Sequence, residues 1–288
     1  MAEISNSSSR PTVALALGGG GARGLAHIHV VEVLDEFGIR PVLITGSSIG
    51  AIIGAAMASG MRGSEIRAHT LAAVGRRAQV INRLWSLRPA TLSEAWSGRS
   101  RFGQFNLERV LAAFLPDRIP KRFEDLAIPL KVIAADYYGQ CEHVCESGDL
   151  ITALAASAAL PAIFLPVRIG GRVMIDGGLW NPVPFDHLRG TADVTIGVDV
   201  VGGPDGDRGI LPNRIESLYG ASQLTMQSII AMKLKEGPPD IFLKPDLGRF
   251  RVMDFLRAGE ILTATAGIRD ELKRNLDAAF EARAKAGG

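Results

Sequence analysis

Ser48 lies in Gly46-Ser47-Ser48-Ile49-Gly50, a G-x-S-x-G pentapeptide. The spacing suits a nucleophile. A serine on a sharp strand-to-helix turn exposes its Oγ, and the flanking backbone packs so closely that only glycine fits. A helix starting just after it aims amide dipoles at the hydroxyl. The bland competitor is a serine N-cap. The setting, after the apolar run PVLIT and before a small-residue helix, favours the nucleophile. A second feature is Gly18-Gly19-Gly20-Gly21-Ala22-Arg23-Gly24. Gly19-x-Gly21-x-x-Gly24 fits a dinucleotide fingerprint, but that site needs an acid at the end of the second strand. Here the strand ends in Thr45 and Gly46. A P-loop needs Gly-Lys-Ser/Thr, which is missing. An oxyanion hole needs only free N–H groups beside a nucleophile, and a glycine run at a helix start supplies them. Arg23 is a candidate loop brace, a candidate contact for an anionic head group, or a plain surface cation.

Ser48 needs a base. Asp176-Gly177-Gly178 follows the run RVMI and puts an acid at a strand end before a tight turn, although Asp-Gly is also a common turn signal. In a Ser–Asp–His triad the histidine normally follows the acid. Of the five histidines only His187 does so, in PFDHL, which reads as the start of a helix. His27 and His29 are two apart in the first helix and are expected to face different ways. His187 stays open as an alternative base.

These residues must be held by a scaffold. Thr12–Leu17 reads as a buried strand and Leu25–Phe37 as a helix ended by Gly38. Pro41–Thr45 is a second strand, Gly46–Gly50 a turn and Ala51–Ser59 a helix. Strand, helix, strand, helix in so short a span argues for parallel βαβ topology. Further on, Asn106–Phe114 and Leu150–Ala159 read as helices. Pro129–Ala135, Cys141–Glu146, Arg172–Ile175, Thr191–Val200 and Asp240–Leu243 read as strands. Residues 201–209 read as a flexible loop, and Ile210–Leu234 and Gly259–Ala284 as helices. No repeat or linker divides the chain, so one α/β domain is expected over 12–288, with a core over 12–205 and a helical part over 206–288.

Composition narrows the class. A net charge of +2 is too near neutral to imply a nucleic-acid partner. Charge is instead local: residues 61–101 hold eight arginines against two glutamates, with Trp85 and Trp96 among them. A basic, tryptophan-bearing segment suits a phosphate or a membrane surface, or is a solvated face. Cys141 and Cys145 flank His143, but a structural zinc site takes about four ligands and no second Cys/His pair lies nearby. No metal is expected, and calcium is not implied because no acidic EF-hand-type loop is present. Residues 1–11 read as a disordered tail without a signal-peptide core. No apolar run is long enough to span a bilayer, so a cytoplasmic protein with at most peripheral membrane contact is expected.

GGGGARG, then GSSIG, then DGG, in that order, resembles the patatin-like phospholipase family, including bacterial members related to the neuropathy target esterase catalytic domain. Ala156-Ser157-Ala158-Ala159-Leu160-Pro161 is similar to the family's Ala-Ser-x-Ala-x-Pro segment, and DGGLWNPVP to its DGG stretch and Asn-x-Pro follow-on. The resemblance covers about residues 12–200; Ser47 stands where the family often has Thr. It implies a three-layer α/β/α fold around a mostly parallel sheet. It also implies a Ser–Asp dyad without a cofactor: Ser48 the nucleophile, Asp176 the base, and the amides of Gly19, Gly20 and Gly21 the oxyanion hole. Gly24, Gly46, Gly50, Gly177 and Gly178 complete the motifs. A free aspartate, with a pKa of about 3.9, is a weak base, so partial burial is expected to make Asp176 more basic. The implied activity is hydrolysis of a phospholipid or lysophospholipid ester. The alternatives are a thioesterase or acyltransferase on the same dyad, a nucleotide-binding module, or a silent adaptor.

Overall fold

The computed structural model describes residues 10–75, 106–204 and 211–286. Its centre is an eight-stranded sheet in the order β5-β6-β3-β2-β1-β7-β8, with β4 pairing β3 off that path. The strands are β1 Val13–Leu17, β2 Leu43–Ser47, β3 Leu130–Asp136, β4 Cys141–Cys145, β5 Val167–Ile169, β6 Arg172–Asp176, β7 Val194–Val198 and β8 Ile241–Leu243. The pairs β1/β2, β1/β7, β2/β3 and β7/β8 are parallel, while β3/β4, β3/β6 and β5/β6 are antiparallel.

β1 shows why the sheet lies between layers. All five residues of VALAL are buried. Val13, Leu15 and Leu17 join the larger core, while Ala14 and Ala16 join a smaller one. A strand covered on both faces reads as a continuous apolar run. The larger core takes in α1 His27–Glu36, α2 Ile49–Ala58, α3 Gly63–Gly75, α4 Leu107–Phe114 and α5 Leu150–Ser157. The smaller core is closed by Val183, Phe185 and Leu188 and by Ile230 of α6 Arg214–Glu236. α7 Ala258–Ala264 and α8 Ile268–Ala286 add Leu262, Leu272 and Leu276 to the larger core. Fully burying a leucine of this kind contributes about 1.5–3 kcal/mol. Asn106 caps α4 through Arg109 N–H and Asp149 caps α5 through Thr152 N–H, as short polar residues before helices should.

Several boundaries differ from the sequence expectation. The first helix begins as a 3-10 turn over Gly21–Ala26 before α1. The expected Gly46–Gly50 turn shrinks to one residue, because β2 continues through Ser47 and α2 starts at Ile49. The expected Gly259–Ala284 helix is two, α7 and α8. Thr265 Oγ1 bonds back to Ile261 O at 2.8 Å, and Gly267 follows in the break. The PFDHL stretch is a 3-10 turn over Phe185–Leu188. β5 and α3 were not anticipated. The tail as far as residue 9, residues 76–101 of the basic segment with both of their tryptophans, and residues 205–209 of the loop lie outside the described residues. Of the described basic residues, Arg67 is tied to Glu32 at 2.6 Å. No helix among the described residues is long and apolar enough to cross a membrane.

Candidate active site

β3 brings the two key strand ends together. Ser47 of β2 pairs with Ile133, and Asp176 of β6 pairs with Ala134, the next step along the same strand. Ser48 then occupies the one-residue turn at φ 54° and ψ −123°. A non-glycine residue there carries about 1–3 kcal/mol of strain, so the surroundings must enforce it. They do. Ser48 N–H donates to Ser157 Oγ at 2.8 Å, and Ser48 O accepts from Ala51 N–H at 3.0 Å. A β-carbon on Gly50 would lie 2.1 Å from Leu17 O, and one on Gly46 2.6 Å from Ala51 N. Gly24 lets the 3-10 turn approach α2, since a β-carbon there would lie 2.2 Å from Ile49 Cγ2.

Ser48 Oγ donates to Asp176 Oδ2 at 2.7 Å. The other carboxylate oxygen, Oδ1, accepts from Gly178 N–H at 2.8 Å. A β-carbon on Gly177 would lie 2.0 Å from Ile133 O, so only glycine lets the turn pass β3 so closely. Asp176 is 6% exposed. Burial pushes its pKa up to about 6, against the opposing pull of the hydrogen bonds from Ser48 and Gly178.

The glycine run lies alongside: a β-carbon on Gly19 would sit 3.4 Å from Ser48 Cβ. Its three candidate amides are not equivalent. Gly19 N–H is committed to Pro182 O at 2.9 Å. Those of Gly20 and Gly21 have no acceptor among the described residues. Arg23 is 2% exposed, with Nε donating to Gly20 O at 3.3 Å. That is the geometry of a loop brace, turned away from solvent. Burial lowers its pKa to about 10, with Asp199 and Asp254 pulling the other way.

His187 is engaged elsewhere. Its Nε2 lies 2.9 Å from Glu142 Oε2, which raises its pKa. Glu142 also accepts from Asn181 Nδ2 at 2.7 Å, and Lys233 bonds to Asn181 and Asp186. This cluster meets the elbow through Ser47 Oγ, which donates to Asn181 O at 2.6 Å. His27 and His29 are both buried and point to different partners, Gly18 O and Leu262 O. Cys141 is exposed and Cys145 buried, both as free thiols.

Sequence reasoning placed Ser157 and Asn181 in family segments without giving either a role, and missed the amide of Ile49. The last could have been foreseen: the first N–H of any helix lacks an intrahelical acceptor, and the residue after a nucleophile elbow commonly supplies an oxyanion donor. The arrangement holds a hydroxyl on a buried carboxylate, with a glycine run alongside and a helix starting just after it, which is chemistry for acyl transfer.

Residues 15–189, more than half of the chain, match the family model described as patatin-like phospholipase. An uncharacterized NTE family protein of Mycobacterium tuberculosis is 36% identical over 200 residues, 69% of this chain and 52% of that one. Human patatin-like phospholipase domain-containing protein 6 is 31% identical over 192 residues, 66% of this chain and 13% of that one. The chain thus spans about half the length of the mycobacterial relatives it matches and a small part of the human one. Among solved structures, VipD from Legionella pneumophila aligns over 94% of this chain and 67% of that one, at 15% identity and a TM-score of 0.49.

Proposed function

Since this chain belongs to the patatin-like phospholipase family, we propose that it is a serine acyl-ester hydrolase acting on phospholipids or lysophospholipids, with Ser48 as nucleophile and Asp176 as its base. The observation that carries this reading is the 2.7 Å hydrogen bond from Ser48 Oγ to Asp176 Oδ2. With His187 bound to Glu142, no imidazole stands between them.

Asp176 takes the Ser48 proton as Oγ bonds to the acyl carbon. The carbonyl π electrons move to oxygen, and the resulting oxyanion is met by the Gly20 and Gly21 amides with that of Ile49. Collapse breaks the bond to the alcohol, which leaves with the proton held on Asp176. Water then attacks the acyl-enzyme, giving its proton to Asp176 and adding hydroxide to the acyl carbon. Collapse returns the proton to Ser48 Oγ and frees the fatty acid. Burial raises the basicity of Asp176 toward what this cycle needs.

A fluorophosphonate probe is expected to label the wild type and not Ser48→Ala, and hydrolysis of a soluble ester should fall by roughly 10⁴-fold or more in that variant. A folded wild type that takes no label would sink the assignment. Parallel assays with phospholipid, lysophospholipid and acyl thioester then rank the leaving groups.

A further inference from the structure

The carbonyls of residues 181–184 are all taken. Asn181 O accepts from Ser47 Oγ at 2.6 Å and Pro184 O from Thr45 Oγ1 at 2.9 Å. Between them, Pro182 O accepts from Gly19 N–H at 2.9 Å and Val183 O from Lys233 Nζ at 3.2 Å. Thr45 and Ser47 alternate along β2, so their side chains leave the same face of the strand. Both are buried, as is Asn181. A buried hydroxyl without a partner is costly, so both bonds are strongly favoured.

The same stretch is joined to the acid. Asn181 N–H donates to Gly177 O at 2.9 Å, across the turn that follows Asp176. The Asn181 side chain is held as well: Lys233 bonds to its Oδ1, and its Nδ2 donates to Glu142 Oε1 at 2.7 Å. β3 fixes where β2 and β6 end, through Ile133 and Ala134, and Ser48 and Gly177 lie beyond those pairs. Out there the elbow meets the acid turn through Ser48 Oγ on Asp176 and through Ser47 Oγ on Asn181 O. The two bonds differ in duration. An esterified Ser48 Oγ has no proton to donate, so the first is absent for as long as the acyl-enzyme lasts. The Ser47 hydroxyl takes no part in the chemistry, and its bond can persist. Resting on the assignment of Ser48 and Asp176, we propose that Ser47 is a positioning residue, whose bond to Asn181 O keeps the elbow against the acid turn while Ser48 carries the acyl group, so that Asp176 stays placed to take the proton of the attacking water.

Kinetics with a p-nitrophenyl ester, whose good leaving group makes deacylation limit turnover, test this. Ser47→Ala is expected to lower kcat by about 10- to 100-fold, as a small misplacement of a catalytic group does. KM should fall with it. Both kcat/KM and the rate of fluorophosphonate labelling should stay within about three-fold, because each reads the first step alone. A burst of about one nitrophenol per enzyme should precede the slowed phase. Ser47→Thr keeps the hydroxyl and should hold kcat within about three-fold of the wild type. A merely structural role would lower the folded fraction and cut kcat with KM unchanged. That result, an undiminished kcat in Ser47→Ala, or a threonine variant as slow as the alanine one would overturn the proposal. A wild type that takes no label would instead overturn the assignment of Ser48. Should Ser47→Ala not fold, the phosphonylated wild type decides. Its crystal structure should keep Ser47 Oγ within hydrogen-bond distance of Asn181 O although Ser48 no longer donates to Asp176; Ser47 and Asn181 parted in that adduct would end the proposal.

Discussion

At the scale of single residues, burial sets the working range of Asp176. Its folded pKa of about 6 stands above its ordinary value of 3.8, so the folded protein holds this proton more tightly than the unfolded chain. The stability linked to that proton is fully present below pH 3.8 and is lost as pH rises through about 6. Above that, ionised Asp176 burdens the fold by about 3 kcal/mol, at about 1.4 kcal/mol per pKa unit. The proposed catalysis runs the other way, because Asp176 must be ionised to act as the base. We predict that kcat/KM rises with pH to half its plateau near pH 6. Asp176→Asn should lose hydrolysis yet resist urea better than the wild type at pH 7.5, with the gap closing toward pH 4. A gap that does not change with pH would refute the linkage. His187→Gln should retain turnover within about three-fold, since its imidazole is spent on Glu142; a loss of 10²-fold would restore it as the base. Ser48 and Asp176 were legible in the sequence because each sits in a short motif whose glycines have local causes. The role of Ser157 was not: its segment resembles a family stretch, but its bond to Ser48 N–H crosses 109 residues, and neither local pattern names the other as its partner.

At the scale of elements, the strand–turn–helix of β2, Ser48 and α2 is held by backbone contact. A β-carbon at Gly50 meets Leu17 O at 2.1 Å, and β1 cannot retreat without breaking its pairing with β2 and β7. Gly50→Ala is therefore expected to lower stability by more than about 3 kcal/mol, or to prevent folding, as overpacking against main chain does. Gly203→Ala, with nothing within 4 Å among the described residues, should melt like the wild type. Thermal denaturation of both compares them directly. Apolar runs made β1, β2, β3 and β7 readable because buried parallel strands show no alternation to confuse. The 3-10 start of α1 and the α7/α8 break were not readable. Each depends on what packs nearby: Gly21 lies against Val252, and Thr265 turns back on Ile261. β5 is only three residues long and carries too little pattern to stand out.

At the scale of the molecule, the C-terminal part is woven into the rest. β8 completes the sheet beside β7, Leu262 O takes the buried His29, and Arg269 pairs with Glu32 and Glu36 of α1. A fragment ending at residue 204 is thus expected to lack cooperative unfolding and dispersed amide signals, although it contains all of the motifs; a folded fragment would show that the sheet stands without β8. The pairing of Ser47 and Asp176 with successive residues of β3 has a kinetic corollary. The alcohol and carboxylate hang from one rail, so no docking event has to assemble them. Turnover of a small dissolved ester should begin without a lag, and under the proposed activity any choice among bulky lipids is expected to lie in which molecules gain entry, not in whether the machinery is switched on.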